Sequence, residues 1–521
     1  MIRLRSYLSG AWVEPRGARA TLVNPATEEN LAEAGSEGID RGAALEHARR
    51  RGGPELRRLS FAERGAILKA MADSLQAHRE ELLDLAVANG GNTRADAKFD
   101  VDGAIYTLNS YADLGAKLGS ARFWVDGEGV TLGRSPRFHG QHIIVPRQGV
   151  ALHINAFNFP AWGFAEKAAV ALLAGMPVLS KPATSSALVA HRILELLVEG
   201  ALLPDGALSL LIGSVGDLLD HLGPQDVVAF TGSGETGARI RALPRVIENS
   251  VRVNIEADSL NAAVAGPDLT PGADSYELFL KDVVRDLTQK AGQKCTAIRR
   301  VLVPSPALSR VRDDLVERLS ATTVGNPALE EVRMGPLATR SQLEDVRQGV
   351  GELAEDGRLV FGSAAPIKAL GVEPGVGFFI SPVLVEVEEG AAAPAVHSRE
   401  VFGPVATLVP YSGEAEEAAA LVARGGGGLV ASVYSDDTAF VEEIVFGLAP
   451  FHGRLYLGNP KIELSPGPGT VLPHLVHGGP GRAGGGEELG GARGLAFYGQ
   501  RVALEGARPV IEKLVGGKSQ G

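Results

Sequence analysis

Val150-Ala151-Leu152-His153-Ile154-Asn155-Ala156-Phe157-Asn158-Phe159-Pro160 reads as a short apolar strand running into a turn, and the same event recurs four more times before residue 257. The later runs are Pro177 to Ser180, Leu208 to Ile212, Val227 to Phe230 and Arg252 to Glu256. Each of the first four is followed by a helix-compatible segment and then by Gly, Pro or Asp punctuation. This β-α-β alternation predicts a doubly wound parallel sheet, whose ligands sit at the carboxyl ends of the strands. Upstream, Ser60 and Glu63 have capping-box spacing and Ile67, Met71 and Leu75 recur at i+4. A single helix over residues 60–89 is expected, covering one face of the sheet and stopped by Asn89-Gly90.

A second α/β block follows Ala257, with strands expected at Val301 to Val303, Leu359 to Gly362, Phe379 to Val385, Val405 to Val409, Leu429 to Tyr434 and Arg454 to Leu457. Phe123 to Val145 lacks helical periodicity and reads as a hairpin or extended arm. The tail begins with a strand-like run from Leu495 to Val502 and ends in Gly516-Gly517-Lys518, which should fray. The expected organisation is α/β. Residues 1–122 and 146–257 form a Rossmann-type dinucleotide-binding domain, 258–470 a second α/β catalytic domain, and 123–145 with 490–521 an oligomerisation arm and tail.

The composition narrows the function. A chain of 521 residues that is 45% hydrophobic and 22% charged is globular and long enough for several well-buried cores. Its formal net charge of -11 argues against general nucleic-acid binding, which needs a basic face. The one cysteine can close no intramolecular disulfide. The basic N-terminus has no apolar run behind it, and the longest uncharged apolar stretch, Ala168 to Ser180, is too short to span a bilayer. A soluble, cytoplasmic protein is expected. No internal repeat is present.

Several residues could carry chemistry. Cys295 lies between Lys290 and Lys294, whose charge would lower its pKa, and the small Ala291 and Gly292 leave it approachable. A buried, inert thiol is the competing reading of that local context. Glu256 ends an apolar strand at the crevice edge, where a partly apolar setting would raise its pKa and suit a general base. Asn158 supplies an amide donor for a developing oxyanion. Gly232 and Ser233, in Thr231-Gly232-Ser233-Gly234, let a phosphate approach backbone amides at a helix start. After the second strand, Lys181-Pro182-Ala183-Thr184-Ser185-Ser186 contains no acid to bind a ribose 2′-hydroxyl, which favours NADP over NAD. The loop from His477 to Gly491 is more than half glycine and contains Arg482; it is equally an anion-binding nest or a plain crossover. No HExxH or paired-cysteine spacing marks a metal site.

Taken in order, Asn158, Lys181, the Thr231-Gly232-Ser233 loop, Glu256, Cys295 and Glu400-Val401-Phe402-Gly403-Pro404 resemble the aldehyde dehydrogenase superfamily over nearly the whole chain. The resemblance implies Cys295 as nucleophile, Glu256 as the base for thioester hydrolysis and Asn158 as an oxyanion donor. It also implies a nicotinamide cofactor held by Phe157, Lys181, Thr184, Gly213, Gly232, Ser233, Glu400 and Phe402. The segments Asn155 to Pro160, Glu256 to Asn261, Ala291 to Arg300 and His477 to Gly491 resemble one subgroup, which oxidises coenzyme A-linked semialdehydes in aerobic phenylacetate or benzoate degradation and prefers NADP. Ala257-Asp258 departs from the Gly-Gly of the general family pattern. The chain stops at 521 with no hydratase domain, so ring opening is not expected. The resemblance further implies that the arm and the Leu495 to Val502 strand pair across a homodimer, or a dimer of dimers. Arg299, Arg300 and Arg482 are either contacts for a coenzyme A moiety or structural. The rival readings are a thiol hydrolase using Cys295 with a histidine such as His153, a non-catalytic protein that kept the fold, and a general aldehyde dehydrogenase of another pathway.

Overall fold

The computed structural model describes residues 1–462 and 465–516. Its first sheet has seven strands in the order Arg252–Glu256, Val227–Thr231, Ala151–Ile154, Val178–Lys181, Leu208–Leu210, Ser6–Leu8, Ala11–Val13. The five strands read from the sequence are mutually parallel. Ser6–Leu8 and Ala11–Val13 extend that sheet as an antiparallel edge. Because Ala151–Ile154 pairs with Val178–Lys181 on one side and with Val227–Thr231 on the other, the winding reverses beside it. The crevice therefore opens at the carboxyl ends of these strands, where Asn155 to Phe159, Thr231 and Glu256 emerge.

The stretch 60–89 is two helices. Ser60 caps the first, Phe61–Ala77, with a complete capping box, but His78 leaves helical geometry and a second helix, Arg79–Gly90, begins. The bend lets Arg79 form a two-pronged pair with Asp102 on the helix Arg94–Leu118. The stop is the left-handed Gly91, not Asn89-Gly90. Phe61–Ala77 packs mainly on the neighbouring helices rather than on the sheet. A Cβ at Gly65 would come within 2.8 Å of Ala112 O, so glycine there permits the close approach.

The second sheet, also of seven strands, runs Arg358–Phe361, Val383–Glu386, Val405–Tyr411, Arg300–Pro304, Ala262–Ala265, Gly428–Tyr434, His452–Gly458. All six expected strands are present, although Phe379 to Ser381 precede the third in irregular structure. The sequence reading missed Ala262–Ala265, which has one branched residue in four yet lies fully buried in the interior of the sheet. Its small side chains suit a strand packed on both faces, where propensity is outweighed by fit. Only five residues, Ala257 to Asn261, separate it from Glu256, so the chain steps from one sheet to the next across the crevice.

Trp124–Thr131 and Phe138–Pro146 form the expected hairpin. Its third strand is Gly499–Ala507 of the same chain. The strand-like run from Leu495 to Val502 is split: Ala492–Tyr498 is a helix whose Leu495 and Tyr498 enter the core of the first sheet, and the strand begins only at Gly499. The i, i+3 spacing of those two residues outweighs their strand propensity. A helix, Arg508–Gly516, follows, and the expected fraying at Gly517-Lys518 lies outside the described residues. Among the described residues no helix is long and apolar enough to cross a membrane.

Candidate active site

Cys295 is presented by a tightly wound turn. After the helix Asp274–Thr288, Lys290, Ala291 and Gly292 adopt successive left-handed conformations with φ of 54°, 51° and 66°. Two of these are not glycine, a strain of about 1–3 kcal/mol each that persists only where surrounding contacts over-determine it. Those contacts are present. Lys290 Nζ donates to Asn92 Oδ1 at 2.9 Å and lies over the Phe159 ring. Lys294 Nζ donates to Asp286 Oδ1 at 2.7 Å and to Gln289 Oε1 at 2.9 Å. The Arg299 guanidinium donates to the carbonyls of Gly292, Lys294 and Gly403, tying the cysteine turn to the Glu400–Gly403 loop.

Both lysines are thus committed to partners away from the sulfur, and the expected lowering of the thiol pKa does not occur. Burial pushes the Cys295 thiol well up, and the neighbouring Glu256 carboxylate pushes it further. At Gly292 a Cβ would fall 2.1 Å from Gly403 O. Gly292→Ala is expected to cost about 3 kcal/mol or more, from left-handed strain plus a backbone collision. A lowered urea midpoint at unchanged denaturant slope would show it, and an unchanged midpoint would refute the close approach.

Glu256 also departs from expectation. Burial alone would raise its pKa, but the charge and hydrogen bond of His477, together with the charge of Lys167, outweigh that and hold the carboxylate low. His477 Nε2 lies 3.0 Å from Glu256 Oε1 and 3.8 Å from Cys295 Sγ, and its own pKa is raised, Glu256 overcoming the effect of burial. Thr231 Oγ1 donates to the other Glu256 oxygen at 3.3 Å. Behind this trio Lys167 Nζ bridges Glu166 at 3.0 Å and Glu488 at 3.1 Å, and Asn254 Nδ2 donates to Glu488 at 3.0 Å. His153 is elsewhere, buried against the Tyr498 hydroxyl, so the histidine beside the thiol is His477.

Sequence reasoning took His477 and Glu488 only as parts of the glycine-rich loop and missed Lys167. The glycine-rich loop is a hairpin, Val476–Gly479 with Gly486–Leu489, laid flat on the strand that carries Glu256. A Cβ at Gly484 or Gly486 would lie 2.3 or 2.5 Å from Ile255 O. Gly484 and Gly486 permit this close approach, which delivers His477 and Glu488 to the carboxylate.

Two connected spaces meet at Cys295. A narrow inner chamber is lined by Phe99, Asn158, Trp162, Glu166, Glu256 and His477 as well as the cysteine. A larger outer cleft takes in Phe157, Gly232, Ser233, Glu400, Phe402 and Arg482. Asn158 Nδ2, in both, donates to Gln293 O at 3.1 Å. Phe157 and Phe402 meet edge to face at 5.9 Å. Burial pushes Glu400 up to about 7 against the pull of Arg299, with Asp258 adding to the rise. Asp258, at the departure from the family pattern, accepts from the Gly234 N–H at 3.1 Å and so occupies one amide at that helix start.

Lys181, Thr184 and Gly213 do not line this cleft; they follow the carboxyl ends of the next two strands. Arg299 and Arg300 are buried and spend their donors chiefly on backbone carbonyls, which settles them as structural. Arg482 donates to Ser398 O and stays at the cleft.

A thiol, a carboxylate and an amide meet at the joint of a doubly wound parallel sheet and a second α/β sheet. The family model described as the aldehyde dehydrogenase family matches residues 12–500, and the chain belongs to that family. The 3,4-dehydroadipyl-CoA semialdehyde dehydrogenase of Aromatoleum evansii is 46% identical over 480 residues, covering 92% of this chain and 93% of the relative. The NADP(+) succinate-semialdehyde dehydrogenase of Escherichia coli (strain K12) is 26% identical over 423 residues, covering 80% and 82%. The crystal structure of lactaldehyde dehydrogenase from Escherichia coli superposes with a TM-score of 0.84 at 25% identity, over 97% of this chain and 99% of that one.

Proposed function

We propose that this aldehyde dehydrogenase oxidises a coenzyme A-linked semialdehyde of aromatic degradation to its carboxylate, hydrolytically and with NADP. The observation that carries the reading is that Cys295 and Glu256 share one chamber opening onto the outer cleft, in a chain 46% identical to a CoA-semialdehyde dehydrogenase. The cleft suits a nicotinamide cofactor. Glu400 Oε1 is buried there without a hydrogen-bond partner, as a carboxylate awaiting a ribose hydroxyl would be, and Gly232 and Ser233 line it beside a helix start. NADP, when bound, supplies the hydride acceptor.

The chain's own residues do the rest. Cys295 Sγ loses its proton to solvent through the chamber and attacks the aldehyde carbon, while the Asn158 amide, turning from Gln293 O, donates to the oxyanion. After oxidation the sulfur carries a thioester. Glu256 then takes a proton from water, which attacks the thioester carbonyl and releases the carboxylate and the thiol. The ion pair with His477 keeps Glu256 charged but engaged. Because the His477 pKa is raised, the carboxylate is freed as pH climbs through and above the ordinary histidine range, and hydrolysis should accelerate in that direction.

The deciding experiment is nicotinamide reduction by the purified chain with NADP or NAD, on a CoA-linked semialdehyde and on its free-acid analogue. NADPH formation confined to the CoA-linked substrate supports the proposal. Equal rates on the free semialdehyde would reject the coenzyme A part, and ester hydrolysis without nicotinamide, with no aldehyde oxidation when nicotinamide is present, would favour the hydrolase reading. Lys181 at the end of its strand has no acidic residue in the following loop. Loss of a charged hydrogen bond costs about 1.5–3 kcal/mol, so Lys181→Ala should raise KM for NADP about tenfold and leave KM for NAD nearly unchanged. Equal effects on both would remove Lys181 from 2′-phosphate recognition.

A further inference from the structure

Three ligand-competent atoms from segments far apart in the chain converge on the chamber: Cys295 Sγ, His477 Nε2 and a Glu256 carboxylate oxygen, all within 4.8 Å of one another. The Sγ–Nε2 separation is 3.8 Å and the Nε2–Oε1 separation 3.0 Å. A tetrahedral zinc ion with bonds of about 2.3 Å to sulfur and about 2.0–2.1 Å to nitrogen and oxygen spaces its ligand atoms roughly 3.3–3.6 Å apart. The observed separations lie within a few tenths of an ångström of that, on either side. Glu256 and His477 are 2% and 4% exposed. Glu256 Oε1 is buried and held by His477 at 3.0 Å.

The surroundings favour a dication. Facing the trio are Glu166 and Lys167 from the helix Trp162–Ala174, Glu488 from the glycine-rich hairpin and Thr231 from the adjacent strand. Three carboxyl groups therefore stand against one lysine and one histidine, although burial pushes Glu488 up to about 7. All three residues line the inner chamber, as the ligands of a centre that keeps one position for water would.

We propose that Cys295, His477 and Glu256 form a reversible inhibitory site for Zn²⁺, closed by one water. Binding releases two protons, one from the thiol and one from the His477 imidazolium, forms Zn–S, Zn–N and Zn–O bonds, and involves no oxidation. Affinity therefore rises with pH. The metal takes the sulfur lone pair needed for attack and the carboxylate needed for hydrolysis, so both half-reactions stop together. The proposal stands on the ligand geometry and does not depend on which aldehyde the enzyme oxidises.

Co²⁺ and Zn²⁺, each added alone to chelator-treated full-length protein, test it. Because the chain has one cysteine, a thiolate-to-cobalt charge-transfer band reports Cys295 ligation without ambiguity. One equivalent of Co²⁺ should give that band with tetrahedral d–d absorption, Zn²⁺ should bleach both, and a chelator should restore turnover and iodoacetamide reactivity. Cys295→Ala should lose the band, and His477→Phe and His477→Gln should each weaken Co²⁺ binding about a hundredfold. Absence of the band from the unaltered protein, or zinc affinity equal in Cys295→Ala, would overturn the site. Failure of the redox reading would show separately, as no nicotinamide reduction by metal-free protein.

Discussion

Glu256→Gln should stop turnover while sparing the first half of the reaction. The amide cannot accept a proton from water, so steady-state oxidation is expected to fall about 10²- to 10⁴-fold, while a burst of one NADPH per active site persists and the thioester accumulates. The substitution also removes the negative charge that pushes the Cys295 thiol up. Iodoacetamide should therefore alkylate Cys295 faster at neutral pH in the variant, although its catalysis is slower. Rapid-mixing absorbance and mass spectrometry of the trapped enzyme read both effects. Thioester hydrolysis at the unaltered rate would remove Glu256 from the role of base.

Cys295→Ala carries the other large effect. The loss of a covalent nucleophile is expected to cost about 10⁴-fold or more in turnover, with NADP binding intact, because the outer cleft is built mainly from the Glu400–Phe402 loop, the Thr231–Ser233 turn and Phe157. The side chain's polar neighbours are His477 and Glu256, which also hold each other, so its removal should leave the fold unchanged. A variant that kept turnover while binding NADP would overturn the nucleophile assignment. One that lost NADP binding would instead show that the sulfur is part of the cofactor site.

Much of the architecture was legible along the chain, because strands and crossovers write themselves locally as apolar runs with turn residues between them. The five parallel strands of the first sheet and the six expected strands of the second are all present. Ala262–Ala265 escaped because its residues lack strand propensity and owe their conformation to burial on both faces. The helix at Ala492–Tyr498 was mistaken for strand because two apolar anchors in a short segment suit either period until a partner surface is known. The bend at His78 likewise answers to Asp102, a residue on another helix.

At the site the same division holds. Order along the chain was enough to single out Cys295, Glu256 and Asn158, and the structure brings all three to one chamber. Their electrostatics were not written locally. Lys290 and Lys294 flank the cysteine in sequence yet turn to Asn92 and Asp286, so the thiol is raised, not lowered. Glu256 is held low by His477 and Lys167, contributed by distant segments. Residue types and strand order are properties of the chain itself. Which charges face one another depends on a glycine-rich hairpin lying against the strand of Glu256, a contact that exists only once the chain has folded.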